Sequence, residues 1–173
     1  MLSSPLARAR ETAIPLAEAL EQPVLVDEVF SEVPAPVPLP QRQAWLRQFM
    51  QQRWPGQPVS LTLWRDRAVA ELLEQRQPAV VFTHFLLINA IVGRVLQRPE
   101  ILCFWPDNGS ITRLRHTGKA LELISLGREM ETAVNSTSAS LERRIRRERG
   151  QKKTSWTLQE LLVGAQSESS RKD

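Results

Sequence analysis

The sequence predicts an α/β domain with three layers, a sheet covered by helices on both faces, over residues 1–135. Short apolar runs suited to buried strands alternate with amphipathic segments of helical period, and a short antiparallel β-meander follows them. After residue 135 the composition becomes polar and basic. Residues 136–173 are therefore expected to form a mostly disordered tail rather than a second domain.

The first half of the domain is expected to contain three helices and one strand. Ser4 and Pro5 suit the N-cap and the first turn of a helix. Four prolines between residues 33 and 40 exclude a helix there and indicate a loop. The expected elements, in order, are a helix from Ser4 to about Glu21, a strand at 24–27, the loop at 33–40, and helices at 41–53 and 60–76.

The second half is expected to contain a buried strand, a helix and a meander. AlaValValPheThr at 79–83 is short and apolar, as in a strand covered on both faces. AspAsnGly and ThrGlyLys are turn sequences between apolar runs. The expected elements are a strand at 79–83, a helix at 85–97, strands at 101–105 and 110–115 around a turn at 107–109, and a strand at 120–126.

The charge is unevenly distributed along the chain. Residues 1–135 hold 14 basic and 14 acidic residues, whereas residues 136–173 hold 9 basic and 5 acidic residues and so account for the whole net charge of +4. A neutral domain gives no electrostatic reason to expect nucleic-acid binding, and any such binding would depend on the tail. A solvated basic tail is the simpler interpretation.

The composition also limits cofactors and compartment. One cysteine and two distant histidines cannot form a zinc site, and no glycine-rich phosphate loop is present, so we expect neither a metal nor a cofactor. Cys103 lies in an apolar run and is expected to be a small buried hydrophobe. No apolar stretch is long enough for a membrane span, and Glu11 and Glu18 interrupt any secretory signal. A cytoplasmic protein without membrane contact is expected.

Candidate functional residues lie in three segments, at 3–13, 26–32 and 80–90. The first is SerSerProLeuAlaArgAlaArgGluThrAla, the second is acidic, and the third places His84 directly after the strand predicted at 79–83 and before a helix. A side chain between a parallel strand and a helix N-terminus lies where α/β sheets bind ligands and where backbone N–H groups favour anions.

These segments resemble the histidine phosphatase superfamily, the phosphoglycerate-mutase-like phosphatases. Residues 3–13 are similar to the family's second motif, and ThrHis at 83–84 is similar to its late motif, although Phe85 replaces the usual Gly. Residues 107–114 resemble the family's penultimate strand pair, and residues 123–132 resemble its usual ending. Four segments match in the right order, and together they span about residues 2–135.

The resemblance implies a phosphate pocket and assigns three residues to it. Arg8 matches the arginine that holds phosphoryl oxygens, and a guanidinium can contact two of them at once. His84 matches the second pocket histidine, which stabilises those oxygens. Glu32 matches the acid that donates a proton, with Asp27 and Glu28 as neighbouring alternatives. Without the resemblance, a solvated Arg8, a structural His84 and an ordinary loop acid at Glu32 remain open.

The family's nucleophile motif, an Arg-His-Gly after the opening strand, is absent from this sequence. The only histidines are His84 and His116, and neither lies in such a motif. The resemblance therefore implies an N-terminally incomplete domain that lacks its first strand, with unpaired strand edges and marginal stability as consequences. Either the true start lies upstream or the gene is a degraded remnant.

Three functions are compatible with this sequence. The first is a phosphomonoester hydrolase family member that is inactive as a single chain because the nucleophile is missing. The second is a pseudoenzyme that binds phosphate, or a small phosphorylated substrate, through Arg8 and His84. The third is an interaction protein that acts through its basic tail. The sequence does not identify the substrate or the oligomeric state, and the absence of long mutase-type insertions favours a phosphatase over a mutase.

Overall fold

The structure is a computed structural model and describes residues 1–130 of the chain. The interpretation of 136–173 as a disordered basic tail lies outside the described residues. Within the described part, the regular elements in chain order are β1 (Leu2–Ser3), α1 (Ala7–Ala19), β2 (Leu25–Val26), α2 (Arg42–Phe49), α3 (Val59–Glu74), β3 (Val81–Phe82), α4 (Phe85–Val95), β4 (Arg113–His116) and β5 (Leu121–Ser125). Single 3-10 turns cover Glu28–Phe30 and Leu39–Gln41.

The strands form a parallel sheet and a separate hairpin. The three-stranded sheet has the order β2-β1-β3, with both neighbours of β1 parallel to it. Strands β4 and β5 pair antiparallel, and among the described residues they share no sheet with the other three. Each parallel strand is followed by a loop or helix that starts at the same edge of the sheet, which brings three distant segments together.

The core is built mainly around helix α4, whose middle is buried on almost every side. The sheet contributes Leu2 and Val81, which pack with Leu87 and Ile91 of α4. Helix α1 contacts β1 and β3 and buries only two small alanines. Its longer apolar side chains, such as Ile14 at 49% exposed, stay partly in solvent. The parallel sheet and its helices give the α/β fold that the sequence predicts.

The edges of the parallel sheet expose apolar side chains. Leu25 and Val26 of β2 are 60% and 52% exposed, and Val80 next to β3 is 40% exposed. Parallel strands are normally buried on both faces. The expectation of a fully buried strand at 79–83 is therefore wrong in its burial, because β3 is an edge strand and its residues are only partly covered.

The predicted strand at 101–105 is also wrong. This segment is mostly buried but irregular, because three successive amide groups donate to side chains rather than to a neighbouring strand. The amide groups of Cys103 and Phe104 donate to Asn89 Oδ1 at 2.7 and 3.0 Å, and that of Trp105 donates to Glu129 Oε1 at 2.8 Å. The partner of β4 is instead β5, across the ThrGlyLys turn.

The remaining boundaries differ from expectation by a few residues. Helix α1 begins at Ala7 rather than at Pro5, because the backbone is still extended at Leu6. Helix α2 ends at Phe49, and α3 ends at Glu74. None of the helices described is both long and apolar enough to cross a membrane.

Candidate anion-binding site

The site lies at the carboxyl edge of the parallel sheet, where two helices begin. Strand β1 leads into α1, and strand β3 leads directly into α4, with His84 as the N-cap of α4. Because β1 and β3 are parallel neighbours, both helix N-termini lie at the same edge of the sheet. Unpaired backbone N–H groups and the helix dipole make such an edge attractive to anions.

His84 is buried in this edge and is held by a serine. It is 5% exposed, and its Nε2 lies 2.7 Å from Ser4 Oγ. Ser4 is fully buried, and its Oγ also accepts a hydrogen bond from the backbone N–H of Leu6 at 3.2 Å. The expected N-cap role of Ser4 is therefore wrong, because Leu6 is the N-cap of α1 and the Ser4 side chain instead binds the turn before the helix and His84.

The environment keeps His84 neutral at physiological pH. Burial, followed by the positive charges of Arg8 and Arg42, lowers the pKa of His84 from 6.5 to about 4. A neutral imidazole can share one hydrogen bond with the Ser4 hydroxyl while its second nitrogen stays available. His84 thus provides a polar group without a fixed charge at this edge of the sheet.

Glu32 connects the loop after β2 to the first turn of helix α4. Its Oε1 accepts from the N–H of Val33 at 2.9 Å, and its Oε2 accepts from the N–H of Leu86 at 3.3 Å. Burial raises the pKa of the Glu32 carboxyl, and these two hydrogen bonds and two nearby arginines only partly oppose that effect. A carboxyl with a raised pKa can hold a proton closer to neutral pH than an ordinary glutamate.

Arg8 provides a cation that the described residues do not neutralise. It lies in the first turn of α1 and is exposed, and its guanidinium forms no ion pair or hydrogen bond with a described residue. A cation at a helix N-terminus opposes the helix dipole and so costs stability. Its charge nevertheless acts on both Glu32 and His84, which places it on the same side of the molecule as these two residues.

Arg42 is a second cation of the site that the sequence analysis missed. It is the first residue of α2, and its Nη2 donates to the carbonyl oxygen of Val33 at 3.2 Å. Its charge, like that of Arg8, lowers the pKa values of Glu32 and His84. The sequence offered one sign of this contact. The proline-rich loop at 33–40 begins directly after Glu32 and ends just before Arg42, so it connects the two residues along the chain.

The acidic alternatives to Glu32 have local roles. Asp27 Oδ1 accepts from the N–H of Val29 and caps the 3-10 turn. Glu28 is exposed and accepts from the hydroxyl of Ser31 at 3.2 Å. Of the three acids in this segment, Glu32 is therefore the one that contacts helix α4.

His116, the second histidine of the chain, has a structural role at the end of β4. Its Nδ1 accepts from the N–H of Gly118 at 3.0 Å, so its Nε2, 3.0 Å from the carbonyl oxygen of Leu73, is the nitrogen that donates. Both ring nitrogens are thereby bound to backbone groups. The unprotonated nitrogen, Nδ1, could act as a nucleophile only if its contact with Gly118 were broken.

A protein-family model gives the relationship that these residues suggest. The model of the histidine phosphatase superfamily, branch 1, matches residues 1–129. The chain belongs to the histidine phosphatase superfamily. Neither the curated proteins nor the solved structures gave a match.

In the described residues, Arg8, Glu32 and His84 lie at one edge of the parallel sheet, and their roles in a phosphate pocket stay a prediction. Ser4 and Arg42 join them. The part of the chain that the structure describes contains no group of three histidine, cysteine, aspartate or glutamate side chains arranged to hold a metal ion. The site brings together two arginines, one neutral imidazole and one carboxyl group.

Proposed function

We propose that this chain binds phosphate, or the phosphoryl group of a small phosphomonoester, at the edge formed by Arg8, Arg42 and His84. The observation that supports it best is the unneutralised Arg8 guanidinium beside a buried neutral histidine at the start of α4. Two arginines and two helix N-termini supply positive charge, and His84 and the backbone supply directional hydrogen bonds. A phosphoryl group combines negative charge with several acceptor oxygens and so fits this set.

We further propose that the chain as given does not hydrolyse phosphomonoesters by itself. The covalent route of the family needs a histidine nucleophile, and the chain offers only His84 and His116. Ser4 occupies Nε2 of the buried His84, and His116 binds backbone groups through both nitrogens. A phosphate-binding protein without turnover is therefore the favoured function, and its ligand is phosphate or a small phosphomonoester.

Phosphate titration of matched arginine variants tests the binding proposal. In isothermal titration calorimetry, the wild type is expected to bind inorganic phosphate, and Arg8→Ala is expected to weaken that binding at least tenfold. A tenfold change corresponds to about 1.4 kcal/mol, within the range for a hydrogen bond to a charged group. Arg10→Ala is the matched control, because Arg10 is an exposed arginine on the same helix.

The results that contradict each half of the proposal differ. Equal phosphate affinity in Arg8→Ala and in the wild type would show that Arg8 is not part of the site. Hydrolysis of p-nitrophenyl phosphate by the purified wild-type chain, abolished in His84→Gln, would show that a nucleophile is present. Loss of binding in Arg10→Ala as well as in Arg8→Ala would point to non-specific charge attraction.

A further inference from the structure

The Glu32 carboxyl occupies part of the N-terminus of helix α4. Its Oε2 accepts from the N–H of Leu86, the second residue of the helix, at 3.3 Å. Backbone groups in this first turn are those that a bound oxyanion would use. Any anion held by Arg8 and the start of α4 would therefore lie next to the oxygens of Glu32. The inference rests on the proposed function, since it concerns the same site.

An ionised carboxyl beside an oxyanion creates a hydrogen-bonding conflict. Carboxylate oxygens only accept hydrogen bonds, and so do the oxygens of a fully ionised oxyanion. The two groups also repel each other through their negative charges. One proton between them removes both problems, because it turns an acceptor–acceptor contact into a hydrogen bond.

We infer that Glu32 is a specificity-determining residue that makes this site select oxyanions able to share a proton with its carboxyl group. Phosphate and phosphomonoesters qualify, because their last ionisation falls near neutral pH and they can carry the proton to the site. Sulfate does not carry a proton near neutral pH. It has the size and shape of phosphate, so the two anions differ at this site chiefly in that one proton.

The other charged groups around Glu32 fit this assignment. Arg8 faces it from α1 and Arg42 from α2, and the positive charge of each acts on the Glu32 carboxyl. His84 stays neutral above about pH 5, since its pKa is lowered to about 4. Burial raises the pKa of Glu32 itself, so mild acid supplies the proton that sulfate lacks.

The test compares phosphate and sulfate in the full chain at two pH values. Calorimetric titrations are run at pH 7.5 and pH 5.0, at constant ionic strength, on the wild type, Glu32→Gln and Glu28→Gln. At pH 7.5 the wild type is expected to bind phosphate about tenfold or more tightly than sulfate, since one charge-assisted hydrogen bond separates them. Its sulfate affinity is expected to rise at pH 5.0.

The two variants separate a shared proton from a general charge effect. In Glu32→Gln the preference should fall to about one, because the side-chain amide can donate to either anion. Glu28→Gln removes the same charge from an exposed position four residues away and should keep the preference. Circular dichroism checks that each variant is folded, and the pH dependence of sulfate binding in the wild type tests the inference without any variant.

Each outcome has a distinct meaning. Equal affinities for the two anions in the wild type at pH 7.5, or an unchanged preference in Glu32→Gln, would overturn the role of Glu32 and leave the proposed phosphate binding intact. A sulfate affinity that does not rise at pH 5.0 would also overturn it. Binding of neither anion at either pH would overturn the proposed function and, with it, this inference.

Discussion

Protonation of His84 should destabilise the folded chain at acid pH. Burial and two arginines lower its pKa from 6.5 to about 4, so between these pH values the unfolded chain binds a proton that the folded chain does not. The stabilisation is complete above pH 6.5 and is lost as the pH falls towards 4. The two pKa values differ by about 2.5, which at 1.36 kcal/mol for each pKa unit amounts to about 3 kcal/mol.

Glu32 acts in the opposite direction and must be separated from His84. Its pKa is raised in the folded state, so protonation of Glu32 favours folding as the pH falls. The useful quantity is therefore the difference in the free energy of unfolding between the wild type and His84→Gln. Both chains contain Glu32, so its contribution cancels in this difference. Glutamine keeps a polar group near Ser4 but does not titrate.

Urea denaturation at pH 7.5, 6.5, 5.5 and 4.5 measures this difference, with a fixed concentration of sucrose in all samples to stabilise the folded state. The advantage of the wild type over His84→Gln is expected to shrink by about 2–3 kcal/mol from pH 7.5 to 4.5. His116→Gln serves as the control, and its free energy of unfolding should still show the decrease at acid pH that His84 causes. A difference that stays constant to within about 0.5 kcal/mol across this range would refute the assignment of a buried neutral His84.

Two further predictions concern the buried 101–105 segment. Asn89→Ala should lower the free energy of unfolding by about 2–4 kcal/mol, because it leaves the buried amide groups of Cys103 and Phe104 without an acceptor; a loss below about 0.5 kcal/mol in urea denaturation would contradict this. The Cys103 thiol is 1% exposed, and burial raises its pKa to about 11. At pH 8 it should therefore react with Ellman's reagent on the order of 100-fold more slowly in the folded chain than in the urea-unfolded chain. Equal rates would show that the thiol is accessible in the native state.

The sequence was informative where short-range patterns determine the structure. Helical period located α1, α3 and α4, and turn residues located the β4–β5 hairpin. It was uninformative at 101–105, because an apolar run has the same appearance whether a strand or a side chain binds its backbone. The acceptor there is Asn89, a polar residue in an otherwise apolar helix, and no local pattern connects it to Cys103.

For the site, the motif residues were predictable and their partners were not. Arg8, Glu32 and His84 were identified from a resemblance that spans more than fifty residues between the first and the last of them. Arg42 was missed, since an arginine at the start of a helix after a loop resembles any solvated arginine. Its role depends on the path of the proline-rich loop. That path places the start of α2 close enough for the Arg42 guanidinium to donate to the carbonyl oxygen of Val33.

The parallel sheet explains how the proposed anion site is assembled from distant segments of the chain. Ser4 follows β1, Glu32 follows β2 through one 3-10 turn, and His84 follows β3, so the three residues meet because their strands are parallel neighbours. Each is then fixed by contacts within this edge, Ser4 and His84 by each other and Glu32 by α4. None of these contacts involves a residue of an Arg-His-Gly motif. The residues proposed to bind phosphate do not include a nucleophile, so phosphate affinity measured for this chain would not by itself predict phosphoryl transfer.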